Sequence, residues 1–498
     1  MITSSLPLAV YTPEQVRNQE AQAAIANNLS LYQLMLNAGQ ATFSLVQAIY
    51  RQPAKMLVVC GAGNNGGDGF VIAKLAKLAG WHIDVMSMPD CPPYKGDALT
   101  AYNDYIALGR NVLPSEQIQF NQYDVIIDAI LGTGALRPLA ASWSTIVDNI
   151  NQASALTISV DIPSGLNATT GAILGNAIIA DHTVTFIGVK SGLLTAKAAD
   201  HVGTLHFADL TVANTFEQQN KPYYRRSEWS ELRSLLPARK RASYKGVFGH
   251  VVCIGGDKGM AGAIKMAAES CLRSGAGLVS VITHPDNVLQ VANGRPELMV
   301  FGVNGLEQTS QELIDKADVV LAGPGMGRTG WANGLMSHIC RLNKPMVIDA
   351  DGLNWLAEHP HKNTQWILTP HTGEAARLMA QNTDKIELDR YAANYEISAR
   401  YGGISILKGA GTLITSSQQT HICTAGNPGM SSAGMGDVLA GICAAMLAQQ
   451  PAHQYSRFQA AELAVCLHAA AGDLAAQTGE RGMIASDLIA HIRTLVNP

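Results

Sequence analysis

The sequence lacks the cysteine patterns that build disulfide frameworks or structural metal sites. Its eight cysteines include no CxxC pair, and several lie inside apolar runs such as MLVVC and HVVCIGG. Cysteines in such surroundings are typical of reduced, buried thiols in a cytosolic protein. We therefore expect free thiols, with neither disulfides nor a zinc site.

Long apolar runs and an excess of positive charge are also lacking. No stretch approaches the ~20 apolar residues that a membrane-spanning helix needs. The segment MITSSLPLAVYTPEQ has no basic region followed by an apolar run, so it does not resemble a secretory signal. The net charge of −4 gives no basic surface for nucleic acid. These absences predict a cytoplasmic protein that binds neither membranes nor nucleic acid.

The 498 residues, 47% of them hydrophobic, contain enough apolar material for more than one core. Residues 12–50 predict two helices. From Lys55 onwards, short apolar runs alternate with helical stretches, a pattern typical of βαβ units around a parallel sheet. A polar segment interrupts this pattern, and a second strand–helix series begins at His250. The predicted division is therefore a first domain, a linker and a second domain, at 1–218, 219–234 and 235–498.

The first glycine-rich loop, GAGNNGGDG at residues 61–69, follows a predicted strand and opens a helix. Gly61, Gly63 and Gly66 satisfy the GxGxxG pattern of dinucleotide sites, although a tight turn would explain the same glycines. Asp68 would lie near the helix start and repel a pyrophosphate there. Amide and carboxylate oxygens suit a cation or a hydroxyl-rich sugar better. The loop therefore predicts a ligand of that kind rather than a bare phosphate.

Two more acidic residues follow predicted strands in this half. Asp128 precedes the loop GTGALRP, and Asp161 precedes IPSGL. Either aspartate alone would be explained as a cap or turn residue. Three acidic, glycine-rich strand ends in one domain favour a site, because ligands bind at the carboxyl ends of parallel strands. Lys190 is either a compensating charge for this site or an ordinary exposed lysine.

The second half contains a glycine-rich segment, GNPGMSSAGMGD at residues 426–437, that runs directly into the helical stretch VLAGICAAMLAQ. Consecutive backbone N–H groups at a helix start form an anion hole. Asp437 beside that hole is placed to take a proton from a hydroxyl while the N–H groups stabilise a transferring phosphoryl group. The alternative is that Asp437 only caps the helix.

Other strand ends of the second half carry candidate ligand groups. The loop KGAGT, which begins at Lys408, suits the phosphates of an adenine nucleotide. His371 follows a predicted strand, where a substrate contact is favoured over a structural role. Asp349 and Asp351 in DADGLN either steer magnesium or cap a helix.

These motifs carry a specific resemblance. Residues 1–218 resemble the NAD(P)H-hydrate epimerase domain of the YjeF N-terminal family, through YTPEQVRNQE, GAGNNGGDGF, DAILGTGALRP, VDIPSGL and FIGVKSGLLT. Residues 235–498 resemble the ADP/ATP-dependent NAD(P)H-hydrate dehydratases. The implied fold is α/β, with a Rossmann-like three-layer sandwich followed by a ribokinase-like domain. The family often has Gly-Gly-Thr-Gly-Asp and a proline after the loop histidine, and the sequence departs from that pattern at Ala433, Met435 and Thr372.

For the first domain, the resemblance implies two sets of site residues. Potassium would be bound by Asn65, Asp128 and Ser164. Inversion at the hydrated C6 of a reduced nicotinamide needs an acid/base group, for which Asp161 is the candidate. Together with Asp161, the hydrated dinucleotide would contact Asn64, Asn65, Gly66, Gly67, Asp68, Gly132, Thr133, Gly134, Ala135, Leu136, Arg137 and Pro138.

For the second domain, the resemblance implies that Asp437 faces the substrate and activates its hydroxyl. Magnesium and ADP or ATP are the expected cofactors. The hydrate would also contact Ala263, Gly325, Gly327 and His371. The nucleotide would contact Lys408, Gly409, Ala410, Gly411, Thr412 and Gly436.

The implied function is metabolite repair by one chain with two activities. The first domain would interconvert the R and S hydrates of NADH and NADPH. The second would dehydrate the S hydrate to NAD(P)H at the expense of ADP or ATP. The alternative is a ribokinase-class small-molecule kinase fused to a nucleotide-sensing domain. Small-molecule substrates and a homo-oligomer are expected in either case.

Overall fold

The computed structural model describes residues 2–134 and 137–497 and divides into two compact units. The first unit is Met1–Arg225 and the second is Arg226–Pro498. The boundary falls inside segment 219–234, which also contains regular structure of its own: a strand at Tyr224–Arg226 and a helix at Trp229–Leu232.

The first unit is built on a seven-stranded sheet with the order β4-β3-β2-β5-β6-β7-β9, in which neighbouring strands are parallel. The short strand β1 pairs with β8 and β10. The strands are β1 Ala9–Tyr11, β2 Lys55–Cys60, β3 His82–Ser87, β4 Val112–Leu113, β5 Val125–Ala129, β6 Leu156–Val160, β7 His182–Phe186, β8 Val189–Lys190, β9 Thr204–Ala208 and β10 Tyr224–Arg226.

Helices cover both faces of this sheet, which explains the continuous apolar runs of its strands. In β2, Met56 and Val58 pack into the core on one face, whereas Leu57 and Val59 pack into the core on the other. The helices are α1 Pro13–Ala26, α2 Leu31–Ile49, α3 Asn64–Leu78, α4 Gly96–Ile106, α5 Ala141–Gln152, α6 Ala198–His201 and α7 Ala213–Gln219.

The second unit contains a larger sheet with the order β13-β12-β11-β14-β15-β16-β17-β18-β19. Its strands are parallel as far as β17, and β18 and β19 are antiparallel. The strands are β11 His250–Ile254, β12 Leu278–Thr283, β13 Met299–Gly302, β14 Val319–Ala322, β15 Met346–Ile348, β16 Trp366–Leu368, β17 Ile404–Leu407, β18 Thr412–Thr415 and β19 Thr420–Cys423.

The helices of the second unit include the buried α17, which belongs to the main core cluster together with α9 and α18. They are α8 Trp229–Leu232, α9 Ala261–Arg273, α10 Val288–Ala292, α11 Gln308–Lys316, α12 Gly330–Ile339, α13 Ala350–Glu358, α14 Thr372–Met379, α15 Thr383–Leu388, α16 Arg390–Tyr401, α17 Met435–His453, α18 Arg457–Ala475 and α19 Ala485–Leu495.

A glycine sets the close packing of α17 on α9. A Cβ added to Gly441 would clash with the carbonyl oxygen of Ala267 and the hydroxyl of Ser270. We expect Gly441→Ala to lower the free energy of unfolding of the second unit by about 3 kcal/mol, because the two packed helices would have to move apart to make room for the added methyl group. Denaturant unfolding measures this change.

The matched control is Gly334→Ala on α12, where an added Cβ meets nothing within 4 Å. That change should leave stability equal or raise it by ~0.5–1 kcal/mol, the helix-propensity difference. Equal stabilities of the two variants would contradict the packing argument.

All eight cysteines are free, and only Cys91 is partly exposed while the other seven are buried. Within the described ranges, no helix has both the length and the apolar character that crossing a membrane requires.

Candidate functional sites

The first unit contains a cavity of about 340 Å³ where the carboxyl ends of β2, β5 and β6 meet helices α1 and α2. Part of its wall is apolar, from Leu31, Leu34 and Met35. The rest is rich in charge and amides. The polar side chains that line it are Arg17, Glu20, Asn64, Asn65, Asp68, Asp97, Thr133, Asp161 and Lys190.

A buried ion pair lies at the floor of this cavity. Asp161 directly follows β6 with φ +66°, an unusual conformation that aspartate tolerates better than most residues. The Lys190 side chain is 2% exposed and donates to Asp161 Oδ1 at 2.5 Å. Its ammonium also donates to the Phe186 carbonyl at 2.8 Å and to Thr185 Oγ1 at 3.2 Å. Lys190 is therefore the compensating charge, and the alternative of an exposed lysine is wrong.

Two further carboxyls face this pair. Asp68 lies on the second turn of α3 and Glu20 on α1. Burial raises the pKa of Asp68 well above its usual range, and the charges of Asp161 and Glu20 raise it further, against Lys190. Burial also raises the pKa of Glu20, and Lys190 partly opposes this. Our site prediction did not include Glu20, although it ends the motif YTPEQVRNQE, because an isolated helix does not show what its acidic residue faces.

The predicted potassium ligands lie around the segment that follows β5. Asp128 is fully buried, and its carboxylate accepts hydrogen bonds from Ser164 Oγ at 2.6 Å, Ser164 N at 2.9 Å and Ser159 Oγ at 2.8 Å. Burial raises the pKa of Asp128 against these hydrogen bonds. The backbone N–H of Leu131 donates to Ser164 Oγ at 2.9 Å. On the other side of this segment, Asn65 has a buried Nδ2 without a hydrogen-bond partner.

Only some of the other predicted residues of this site line the cavity. Besides the polar residues, Gly132 and Gly134 line the cavity. Gly66 and Gly67 serve packing, because an added Cβ would clash with Gly61 or lie 2.6 Å from Met35 Cε. Arg137 and Pro138 are not among the lining residues, and Ala135 and Leu136 lie outside the described residues.

Lys408 is the central charge of the second unit's candidate site. Its Nζ lies 2.9 Å from Asp349 Oδ1 and 3.7 Å from Glu374 Oε2. Burial alone would lower the pKa of Lys408, but Asp349 and Glu374 outweigh it and raise the pKa, so the ammonium stays charged. Asp349 also accepts from Thr369 Oγ1 at 2.7 Å. It occupies the N-cap position of α13, yet its side chain binds Lys408 and makes no cap hydrogen bond.

Asp437 lies beside this charge cluster at the start of α17. The N-cap of α17 is Gly434, with φ +90°, so the alternative that Asp437 is the cap is wrong. Burial and the neighbouring Asp349 raise the pKa of Asp437 to about 7, against Lys408. A Cβ on Gly436 would lie 3.2 Å from Lys408 Nζ, so the helix start and the lysine approach closely.

The predicted hydrate contacts lie at the start of α9 and on the loops that follow β14 and β16. His371 is the N-cap of α14, and its Nδ1 accepts from Gly373 N at 2.9 Å. Gly325 and Gly327 both have left-handed backbones, with φ +57° and +67°. A Cβ on Gly325 would lie 3.2 Å from the Cβ of Ala263, which brings those two predicted residues together. Asp351 accepts from Gly327 N at 2.8 Å and so fixes this loop.

A buried arginine that sequence analysis missed supports the predicted nucleotide loop. Arg390, 2% exposed, donates to the carbonyls of Lys408 at 3.1 Å and Leu407 at 3.3 Å. It also donates to Thr372 Oγ1 at 3.4 Å, and the Thr372 hydroxyl donates to Glu387. The threonine found where the family often has proline therefore links the His371 loop to the Lys408 loop.

Comparison with known proteins identifies the family. Residues 31–192 match the family described as YjeF-related protein N-terminus, and residues 251–494 match NAD(P)H-hydrate dehydratase. The bifunctional NAD(P)H-hydrate repair enzyme of Escherichia coli strain K12 is 42% identical over 99% of this chain and 95% of that protein. The chain belongs to the bifunctional NAD(P)H-hydrate repair enzymes. The relative from Coxiella burnetii is 41% identical over 98% of this chain and 99% of its own.

This NAD(P)H-hydrate repair enzyme therefore combines an epimerase domain with an ADP/ATP-dependent dehydratase domain, as the sequence predicted, and the kinase alternative is not supported. A ribokinase-like protein from Enterococcus faecalis V583 has a TM-score of 0.50 and 30% identity, over 55% of this chain and 95% of that one. The predicted ribokinase-like second domain is confirmed, and the parallel sheet of the first unit agrees with a Rossmann-like fold.

Proposed function

We propose that Asp161 and Asp437 are the groups that perform the two reactions of this repair enzyme. The observation that supports this most directly is their contrasting environment. Asp161 is fixed by a buried lysine, whereas Asp437 has a pKa near neutrality beside Lys408. A carboxylate with a pKa near the working pH is suited to general base catalysis.

In the epimerase domain, the cavity would hold the hydrated nicotinamide with its C6 hydroxyl towards Asp161. Asp161, bonded to Lys190 through Oδ1, would be the carboxylate that accepts the hydroxyl proton. Asn64, Asn65 and the Gly132–Gly134 loop would bind the rest of the substrate by hydrogen bonds.

Potassium fits the Asn65, Asp128 and Ser164 set on charge grounds. Asp128 is a fully buried carboxyl that, among the described residues, forms no ion pair, and only neutral donors bind it. The unpartnered Asn65 amide leaves that side chain free to turn its oxygen inwards. Hard oxygen ligands suit such a cation. When bound, potassium would neutralise Asp128 and hold the 131–134 loop against the substrate.

We expect epimerisation to require a monovalent cation. Asp128→Asn should weaken the binding of potassium, so that a higher potassium concentration is needed to reach the same rate. The rate of R-to-S conversion should fall in cation-free or sodium buffer and recover on addition of potassium. Chromatographic separation of the two epimers, without nucleotide, measures it. Equal rates in potassium, sodium and cation-free buffer would contradict the assignment.

In the dehydratase domain, Asp437 would take the proton of the C6 hydroxyl as the hydroxyl oxygen attacks the terminal phosphoryl group of ADP or ATP. The phosphoanhydride bond to that group breaks, and AMP or ADP leaves. Lys408 and the backbone N–H groups around Gly436 would stabilise the charge on the transferring group. The C6–O bond of the phosphorylated hydrate then breaks, and phosphate leaves with the electron pair. Loss of a proton from C5 to solvent forms the C5–C6 double bond and restores NAD(P)H.

Magnesium fits this site because its carboxyls outnumber its cations. Asp349, Glu374 and Asp437 lie around Lys408, and the nucleotide adds further negative charge. Magnesium commonly reaches such sites bound to phosphates and one or two carboxylates. The carboxylate of Asp349 already accepts hydrogen bonds from Lys408 and Thr369, so it would bind the ion in addition to those two contacts.

The complete assignment is tested by supplying both hydrate epimers with ADP or ATP and following the absorbance of the reduced nicotinamide. Full recovery of NADH from both epimers is expected. A stable phosphorylated product without that recovery would favour the kinase alternative. The homo-oligomer and the cytoplasmic location stay predictions from the sequence.

A further inference from the structure

The epimerase cavity holds more carboxyls than its buried cation can neutralise. The donors of Lys190 are taken up by Asp161, Thr185 and a carbonyl. Within the described residues, Glu20 and Asp68 have no hydrogen-bond or ion-pair partner, and Asp68 is only 9% exposed. A buried carboxyl without a partner favours its protonated form.

Of the surroundings that shift the pKa of Asp68, only Lys190 lowers it. Asp68 lies on the second turn of α3, beyond the reach of most of the helix dipole. Burial, Asp161 and Glu20 raise its pKa, and Lys190 lowers it. Arg17 is exposed at the cavity edge. The titratable and charged groups around Asp68 are Arg17, Glu20, Cys60, Asp97, Asp161 and Lys190.

We propose that Asp68, with Glu20 beside it, is the proton donor of epimerisation and works opposite the Asp161–Lys190 pair. This inference rests on the proposed role of Asp161 as the base. Burial and the charge of Glu20 raise the pKa of Asp68, which favours a proton on the Asp68 carboxyl. The cavity then presents a carboxylate and a carboxylic acid to the same substrate.

Inversion at C6 uses both groups. The C6 carbon carries a hydroxyl and the ring nitrogen N1. Asp161 takes the hydroxyl proton, the C6–N1 bond breaks with its electrons on N1, and Asp68 gives its proton to N1. The product is an open-chain aldehyde with an N–H group. Rotation about C5–C6 turns the other face of the aldehyde to N1, and the reverse proton transfers close the ring as the other epimer.

One group alone does not account for this chemistry. Asp161 forms a close ion pair with Lys190, and an ion-paired carboxylate can accept a proton but has none to give. The leaving nitrogen needs a proton when the C6–N1 bond breaks, and Asp68, a buried carboxyl without a partner whose pKa is raised, is suited to supply it. Two carboxyls in contrasting environments, one ion-paired and one unpaired, are the arrangement that acid/base pairs use.

The first test is Asp68→Asn in the full-length protein, with epimerisation measured by chromatography in potassium buffer without nucleotide. We expect kcat to fall by ~10²-fold or more, the usual cost of losing a general acid, with KM within threefold. Nucleotide-dependent dehydration of the S epimer should be unchanged, because it is assigned to the second unit, and thermal unfolding reports whether the first unit is folded. An unchanged kcat, or a change in KM alone, would overturn the proposal.

The second test is Glu20→Gln, which also tests the proposed proton donor if Asp68→Asn does not fold. An acid must be protonated, so the wild-type epimerisation rate should fall as pH rises through the pKa of Asp68. Removal of the Glu20 charge lowers the pKa of Asp68, so this alkaline limb should move to lower pH. The control Glu14→Gln makes the same change at an exposed position of α1 and should move nothing. An unmoved limb in Glu20→Gln would overturn the proposal.

Failure of the inference and failure of the proposed base are distinguishable by Asp161→Asn. If Asp161→Asn loses epimerisation and Asp68→Asn does not, Asp161 keeps its proposed role as the base and Asp68 is not the acid. If neither variant affects kcat, the role of Asp161 fails as well.

Discussion

Replacement of Asp437 by asparagine is expected to abolish nucleotide-dependent dehydration and leave epimerisation intact. The amide keeps the shape of the side chain but cannot accept a proton from the C6 hydroxyl. Removal of a general base typically costs ~10²–10⁴-fold in rate. The proposed site of epimerisation is the cavity of the other unit, and Asp437 is not among the residues that line it. Recovery of reduced nicotinamide absorbance from the S epimer with ADP or ATP measures the loss.

The matched control is Asp384→Asn, an exposed aspartate on α15, which should dehydrate at the wild-type rate. The wild-type pH profile gives a second measurement. Burial and Asp349 raise the pKa of Asp437 to about 7. A base acts only when deprotonated, so kcat/KM should rise as pH increases through about 7 and then level off. Dehydration by Asp437→Asn within tenfold of wild type would remove Asp437 from the mechanism.

The glycine-rich strand ends were predictable because their signals are local. Apolar runs such as MLVVC indicate strands covered on both faces, and the glycines and aspartates that follow them mark the ligand edge of a parallel sheet. Asp161 lies where that rule placed it, directly after β6, and Asp437 lies where the glycine-rich segment before a helix placed it, on the first turn of α17.

The short pairings of the first unit were not predictable in the same way. Strands β1, β8 and β10 have three, two and three residues, too few to show a period. They form because distant segments meet: Val10 pairs with both Val189 and Tyr224. Segment 219–234 was predicted to be a linker because it is polar and shows no apolar period, although it contains a strand and a helix.

Charge partners across long sequence separations account for the residues that sequence analysis missed or left undecided. Nothing in FIGVK shows whether its lysine is exposed, since its partner Asp161 lies 29 residues away. Glu20 and Arg390 sit on helices whose neighbours are set by the tertiary fold. For Asp349, the sequence was consistent with both helix capping and ligand binding. Its position is that of a cap, and its side chain serves the site.

Lys190→Met should destabilise the epimerase domain and nearly eliminate its activity. The methionine fills a similar volume, so the main change is the loss of the ammonium that binds Asp161 Oδ1. Breaking a buried ion pair by removing one partner typically costs ~3–5 kcal/mol, because the remaining charge is left uncompensated. The Asp161 carboxylate would also lose the contact that positions it in the cavity, so epimerisation should fall by ~10²-fold or more.

Thermal or denaturant unfolding, with dehydration as an internal control for the other domain, measures both effects. Lys197→Met, at an exposed position preceding α6, should change stability by no more than ~0.5 kcal/mol. The double variant Lys190→Met/Asp161→Asn should be more stable than Lys190→Met alone, since it removes the uncompensated carboxylate, yet remain inactive. Additive losses in the double variant would show that the two residues do not act as a pair. The stabilisation by Lys190 would then come from its hydrogen bonds to the Phe186 carbonyl and the Thr185 hydroxyl rather than from its ion pair with Asp161.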